Sequence, residues 1–150
     1  MNQSHLPMFA ESLRETFQNM LGVELKQGPT QEATHPVQAD LSACLSVEGN
    51  SPALLVLGFD AASAVDAAVR FVQMPCKFED PLVSDAAREL LNILVGAAQR
   101  RIPERFTFSL PLSAQGLNHV VSSFRKGHIV FTPMTWGDEF SLRLFLNLPA

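Results

Sequence analysis

The chain has 150 residues, 47% hydrophobic and 17% charged, which is globular material for one domain with a sizeable core and not the composition of a disordered segment. A formal net charge of -4 argues against a broad footprint on a nucleic-acid backbone, which needs clustered Lys and Arg. Two cysteines without CxxC spacing and four scattered histidines argue against a zinc site.

The two thiols, Cys44 and Cys76, suggest a reducing compartment and are expected to be buried as small hydrophobes. The N-terminus lacks a basic segment followed by an apolar one, and no run reaches the ~18 apolar residues of a membrane span, so a soluble cytoplasmic protein is expected.

In chain order, "PMFAESLRETFQNMLGVEL" reads as a helix. Phe9, Leu13, Phe17 and Met20 recur on one face, Pro7 lies near the start, and Gly22 stands where a C-cap would. "KQGPTQEATHP" reads as a loop. Val37 to Val47 alternate apolar with polar, "EGNSP" is a turn, and "ALLVLGF" is a second, central strand of a hairpin. Asp60 should N-cap an alanine-rich helix ending before Pro75. Asp80 and Pro81 suit the start of a third, long helix that runs to about Arg101, ahead of Pro103. The β-rich runs "RFTFSLPL", "NHVVSSF", "HIVFTPMTW" and "EFSLRLFLNLP" follow, with Gly116, Gly127 and Gly137 as turn residues between them. The order α-β-β-α-α-β-β-β, with room for one more strand, predicts a single α+β domain over residues 1–150, its long helices packed on a mostly antiparallel sheet.

The third helix carries one polar line. At roughly 100° per residue, Ala86, Leu90, Leu91, Ile93, Leu94, Val95, Ala97, Ala98 and Ile102 cover about two thirds of its circumference. Asp85, Glu89, Asn92, Gly96 and Gln99 share the rest. A solvent face explains acids and glutamine. It explains Asn92 and Gly96 less well, since Gly costs ~1 kcal/mol in a helix relative to Ala. A missing side chain at Gly96 would let another surface approach the backbone. Arg100, Arg101 and Arg105 cluster beyond it, and read first as cations complementing the helix C-terminus.

At these residues the chain resembles the CheC/CheX/FliY family of chemotaxis phosphatases, most closely the CheX type. The family signature, Ser or Asp, then Glu, then Asn on a long helix, stands as Asp85-Ala-Ala-Arg-Glu89-Leu-Leu-Asn92. The flanks "ETFQNMLGVELKQGP" and "FTFSLPLSAQG" and the Asn-x-x-x-Gly continuation are similar to the CheX type over essentially the whole chain. The resemblance implies a CheC-like fold, commonly a homodimer, and dephosphorylation of the aspartyl phosphate of a CheY-like response regulator. It implies that Glu89 pairs with the receiver's active-site Lys and that Asn92 positions the attacking water. Gly96 and Gln99 are expected against the partner, and for Asp85 three roles stay open: capping the helix, orienting Glu89 or contacting the partner. It implies no cofactor in this chain, the Mg²⁺ residing on the receiver.

Some family members carry a second motif on the first helix. Here the register that matches Asn19 puts Thr16 at the Glu position, while Glu15 lies four residues from Asn19, so one active centre per chain is expected. Two other readings stay open: a non-catalytic dimeric adaptor that binds a receiver or signalling scaffold, and a structural domain in which Glu89 and Asn92 are covered.

Overall fold

The computed structural model describes residues 1–34, 37–49, 51–121 and 127–149. After a 3-10 turn at Gln3–His5, the elements run α1 (Leu6–Leu21), β1 (Lys26–Gln27), β2 (Gln31–Glu32), β3 (Val37–Glu48), β4 (Ala53–Phe59), α2 (Ala61–Val72), α3 (Pro81–Arg101), β5 (Thr107–Phe108), β6 (Leu112–Val121), β7 (His128–Trp136) and β8 (Phe140–Leu148). The strands form one antiparallel sheet in the order β1-β7-β8-β4-β3-β5, with β2 also on β7 and β6 also on β3. This is the expected α+β architecture.

The pleat separates two apolar layers. Leu41, Ala43, Leu45 and Val47 of β3, Leu55 and Leu57 of β4, and Leu142, Leu144, Leu146 and Leu148 of β8 join the three helices in the main core. Val37, Val56 and Phe145 form a smaller cluster on the opposite side. β8 lies between β7 and β4, so the long apolar run at the end of the chain is an interior strand and not a sheet edge. Trp136 is buried with its indole N–H 2.7 Å from Asp66 Oδ2, which satisfies the one polar atom such a ring brings inside.

The local signals act mostly as the sequence suggests. Gly22 takes φ 66° at the end of α1, a left-handed conformation that costs glycine little. Asp60 caps α2, its Oδ1 accepting from Ser63 N at 2.8 Å. Asp80 holds the N-cap position of α3, but its side chain does not bond into the helix. Its Oδ2 accepts from Lys77 N at 2.8 Å, so the carboxylate shapes the preceding turn instead.

Several expectations need correction. Met20 is 42% exposed, and Leu21 takes the place beside Phe17 that the periodicity gave it. Cys44 and Cys76 are free and half-buried. The "KQGPTQEATHP" loop contributes β1 and β2, because its backbone reaches the unpaired edge of β7; His35 and Pro36 lie outside the described residues. The run "RFTFSLPL" splits into β5 and the start of β6. Gly116 lies inside β6 and not in a turn, where the β3–β6 register shifts between Ala39 and Leu41 and admits an irregular stretch. Ser122 to Phe124 of "NHVVSSF" and Asn50 of "EGNSP" fall outside the described residues.

Leu90, Leu91 and Leu94 are fully buried beneath α3. Leu90→Ala should therefore destabilise the protein by about 2–5 kcal/mol, read as a lower midpoint in urea unfolding.

Candidate functional site

α3 is seated by its apolar sector. Val83, Ala86, Ala87, Leu90, Leu91, Leu94, Val95, Ala97 and Ala98 are buried among α1, α2, β3 and β6. Ile102, just past the helix end, is buried too, whereas Ile93 is only half-buried. What remains outward is the polar line: Asp85, Glu89, Asn92 and Gly96 are exposed, and Gln99 is half-buried. The helix period places Glu89 and Asn92 about 60° apart on adjacent turns, close enough for both to address one small target. Among the described residues neither side chain makes a hydrogen bond or an ion pair, so the carboxylate and the amide keep their full bonding capacity.

The two ends of the line are braced. Arg88 donates to Asp85 on its own helix and to Ser113 on β6. Ser84 Oγ lies 3.0 Å from Gln115 Oε1, and Gln115 donates in turn to the Phe78 carbonyl, so a second bridge ties β6 to the start of α3. Asp85 is thus anchored by Arg88 and does not cap the helix. At the far end Gln99 Nε2 donates to the Glu104 carbonyl at 2.8 Å, and its Oε1 accepts from Phe106 N at 3.2 Å. Its amide holds the chain that follows the helix. Glu104 lies beside His5, at 3.4 Å, and its carboxyl is held below the usual range by its own backbone N–H and then by His5.

The sequence reading did not single out Arg88, Ser113 or Gln115. The three-residue spacing of Asp85 and Arg88 was visible as an ion-pair signal; the β6 partners come from long-range folding and left no local trace. A Cβ added at Gly96 would meet nothing within 4 Å, so packing inside this chain gives no reason for glycine there. Among the described residues, no group of three or more His, Cys, Asp or Glu could hold a metal ion.

α3 therefore presents a carboxylate and an amide without partners among the described residues, with a bare backbone position one turn further on. The chain belongs to the chemotaxis phosphatase CheX family, whose model matches residues 41–135 and so includes the whole of α3. No curated protein matches it. Among solved structures it is similar to a CheC-like superfamily protein from Shewanella sp. PV-4, at 19% identity over 100% of both chains and a TM-score of 0.87. Chemotaxis protein CheX from Vibrio vulnificus aligns at 19% identity over 97% of this chain and 99% of that one, with a TM-score of 0.86. The CheX–CheY–BeF3–Mg²⁺ complex from Borrelia burgdorferi contains a chain similar at 15% identity over 97% of this chain and 98% of that one, with a TM-score of 0.79.

Gly96→Ala should stabilise the isolated protein by about 0.5–1 kcal/mol, since the methyl group meets no neighbour and Ala is the better helix former. A higher urea midpoint in the variant would show that glycine at this position serves something other than the stability of the fold.

Proposed function

We propose that this protein dephosphorylates the aspartyl phosphate of a CheY-like response regulator by inserting Glu89 and Asn92 into the receiver's active site. The observation that carries the reading is the exposure of both side chains on one rigid helix face, free of partners among the described residues. Membership of a phosphatase family supports it, as does a structural relative captured with CheY, BeF3 and Mg²⁺.

Phosphoryl transfer asks a protein mainly to place the nucleophile in line and to stabilise charge. The Asn92 amide offers an acceptor and two donors, so it can hold a water by one end while the other end meets the phosphoryl oxygens. Glu89, one turn back, supplies a negative charge for the receiver's lysine and so fixes the depth and register of Asn92. Gly96 admits the partner's backbone close to the helix, and Asp85 acts through Arg88 to hold the near end of the line. Gln99 serves the partner surface by fixing the chain at Glu104 and Phe106. Mg²⁺ would reside on the receiver, a reading supported by the relative whose complex contains CheY, BeF3 and Mg²⁺.

On α1 the equivalent positions are differently disposed. Thr16 is buried with its hydroxyl donating to the Ser12 carbonyl at 2.8 Å, and Glu15 pairs with Arg101. This supports one active centre per chain, in one phosphatase domain. A cytoplasmic location fits a receiver substrate, and among the described residues no helix is long and apolar enough to cross a membrane. For the homodimer, β6 offers a sheet edge on which Leu112, Leu117 and Val120 are exposed, which supports pairing of two copies there.

Two experiments test these assignments. Asn92→Ala should lower kcat on a phosphorylated receiver by about 10² to 10³ with the helix content intact, and Glu89→Gln should lower kcat/KM by about tenfold. Unchanged turnover in Asn92→Ala would overturn the catalytic assignment. In sedimentation, Leu112→Lys with Leu117→Lys should convert a dimer to a monomer; a dimer that persists would place the contact elsewhere.

A further inference from the structure

The three arginines at the end of α3 do not share one role. Arg101 turns along the surface toward α1, donating to Ser12 Oγ at 2.9 Å and to Glu15. Arg100 and Arg105 are exposed, and among the described residues neither pairs with a carboxylate. Both line a groove of about 550 Å³, with Gly96, Gln99, Ile102 and Pro103 as its other walls. Arg100 makes one long contact, 3.4 Å, to the Gly96 carbonyl. A macrodipole complement would need no groove, no bare glycine as its wall and no second arginine beyond the helix end.

The groove is also built. Gln99 holds the Glu104 carbonyl with one end of its amide and the Phe106 N–H with the other, so the residues on both sides of Arg105 are pinned. Glu104, the acidic neighbour, lies against His5 and makes no ion pair with either arginine. The backbone that carries Arg105 is therefore fixed beside the exposed line, while both guanidinium groups keep their bonding capacity for something outside the chain. Arg100 follows Asn92 by eight residues, about 12 Å along the helix, a distance well within the roughly 30 Å width of the ~800 Å² patch that each partner buries in an ordinary complex.

We infer that this groove is a docking site for an acidic segment of the phosphorylated receiver, bordering its aspartyl phosphate, and that Arg100 and Arg105 set the affinity of the encounter and not the rate of the chemistry. The inference rests on the reading of α3 as the receiver-binding helix and names the part of the partner that its far end meets. The partner's chemistry supplies the argument. A face that holds a phosphoryl group with Mg²⁺ needs carboxylates around it, so it is negative. This chain carries a formal net charge of -4, which opposes approach to a negative face. Two unpaired guanidinium groups at the rim reverse the local field where the surfaces meet. Gln99 is a positioning residue for Arg105.

The test is steady-state phosphate release from a CheY-type receiver charged with acetyl phosphate, using the member of a receiver panel that the wild-type protein turns over fastest. At about 50 mM salt, Arg100→Glu with Arg105→Glu should raise KM by about tenfold or more and leave kcat within about twofold; near 0.5 M salt the gap to wild type should largely close. Arg100→Gln with Arg105→Gln, which keeps the helix terminus free of an opposing charge, should give a smaller rise in KM with the same salt dependence and an unchanged circular dichroism melt. Gln99→Ala should raise KM in the same direction, and Lys26→Glu, an exposed charge on β1 at the opposite edge of the sheet from β5, should leave it unchanged. Wild-type KM in both double variants, beside normal wild-type turnover, overturns the inference and leaves the phosphatase reading standing. No turnover by the wild-type protein on any receiver overturns both.

Discussion

The burial of α3 on all sides but one is the constraint on which the rest depends. Its apolar residues fill the space between α1, α2 and the sheet, and fully buried leucines of this kind contribute about 1.5–3 kcal/mol each relative to exposure. A helix seated that widely cannot rotate about its axis without withdrawing leucines from the core. The direction of Glu89 and Asn92 is therefore fixed by residues that never touch a substrate. Their spacing comes from the helix period, and their common outward aim from the packing behind them.

Polar contacts refine what the core establishes. Near the start of α3, Arg88 and Ser84 reach across to Ser113 and Gln115 of β6; near its end, Gln99 and Arg101 reach to the following loop and to α1. These contacts are partly exposed, and pairs of that kind are individually worth little in stability. Their use lies in position. They hold both ends of the exposed line against the neighbouring elements while its middle is left without partners among the described residues, which suits a surface meant to engage something outside the chain.

The fold and the site were legible in the sequence to different depths. α1, α2 and α3 announce themselves through 3.6-residue periodicity bounded by Asp60, Pro81 and Gly22, and β8 through the period of two of Phe140, Leu142, Leu144, Leu146 and Leu148. These are local patterns, set within one element. The pairing of β6 with β3 through a register shift, the capture of β1 and β2 by β7, and the bridges from β6 to α3 depend on residues far apart in the chain. No periodicity encodes them. Asp80 shows the same limit on a small scale: a capping residue type at the capping position, whose carboxylate was claimed by the turn before it. The exposed line itself was readable because an apolar helix tolerates a polar sector only where nothing covers it. The separation of Arg101 from Arg100 and Arg105 was not, because all three look alike until α1 is in place.

A site of this form divides its labour in an instructive way. Side chains on a convex helix cannot enclose a phosphoryl group, exclude water or assemble a charged pocket, and the amide of Asn92 is neither a base nor a nucleophile at neutral pH. Such a surface can accelerate hydrolysis only by completing a pocket that already holds the phosphoryl group and its counter-charge. Catalysis and recognition then become the same event: the water is placed when, and only when, the right partner is seated. On the function proposed for Glu89 and Asn92, selectivity resides in how the two surfaces fit over their whole contact and not in the pair alone.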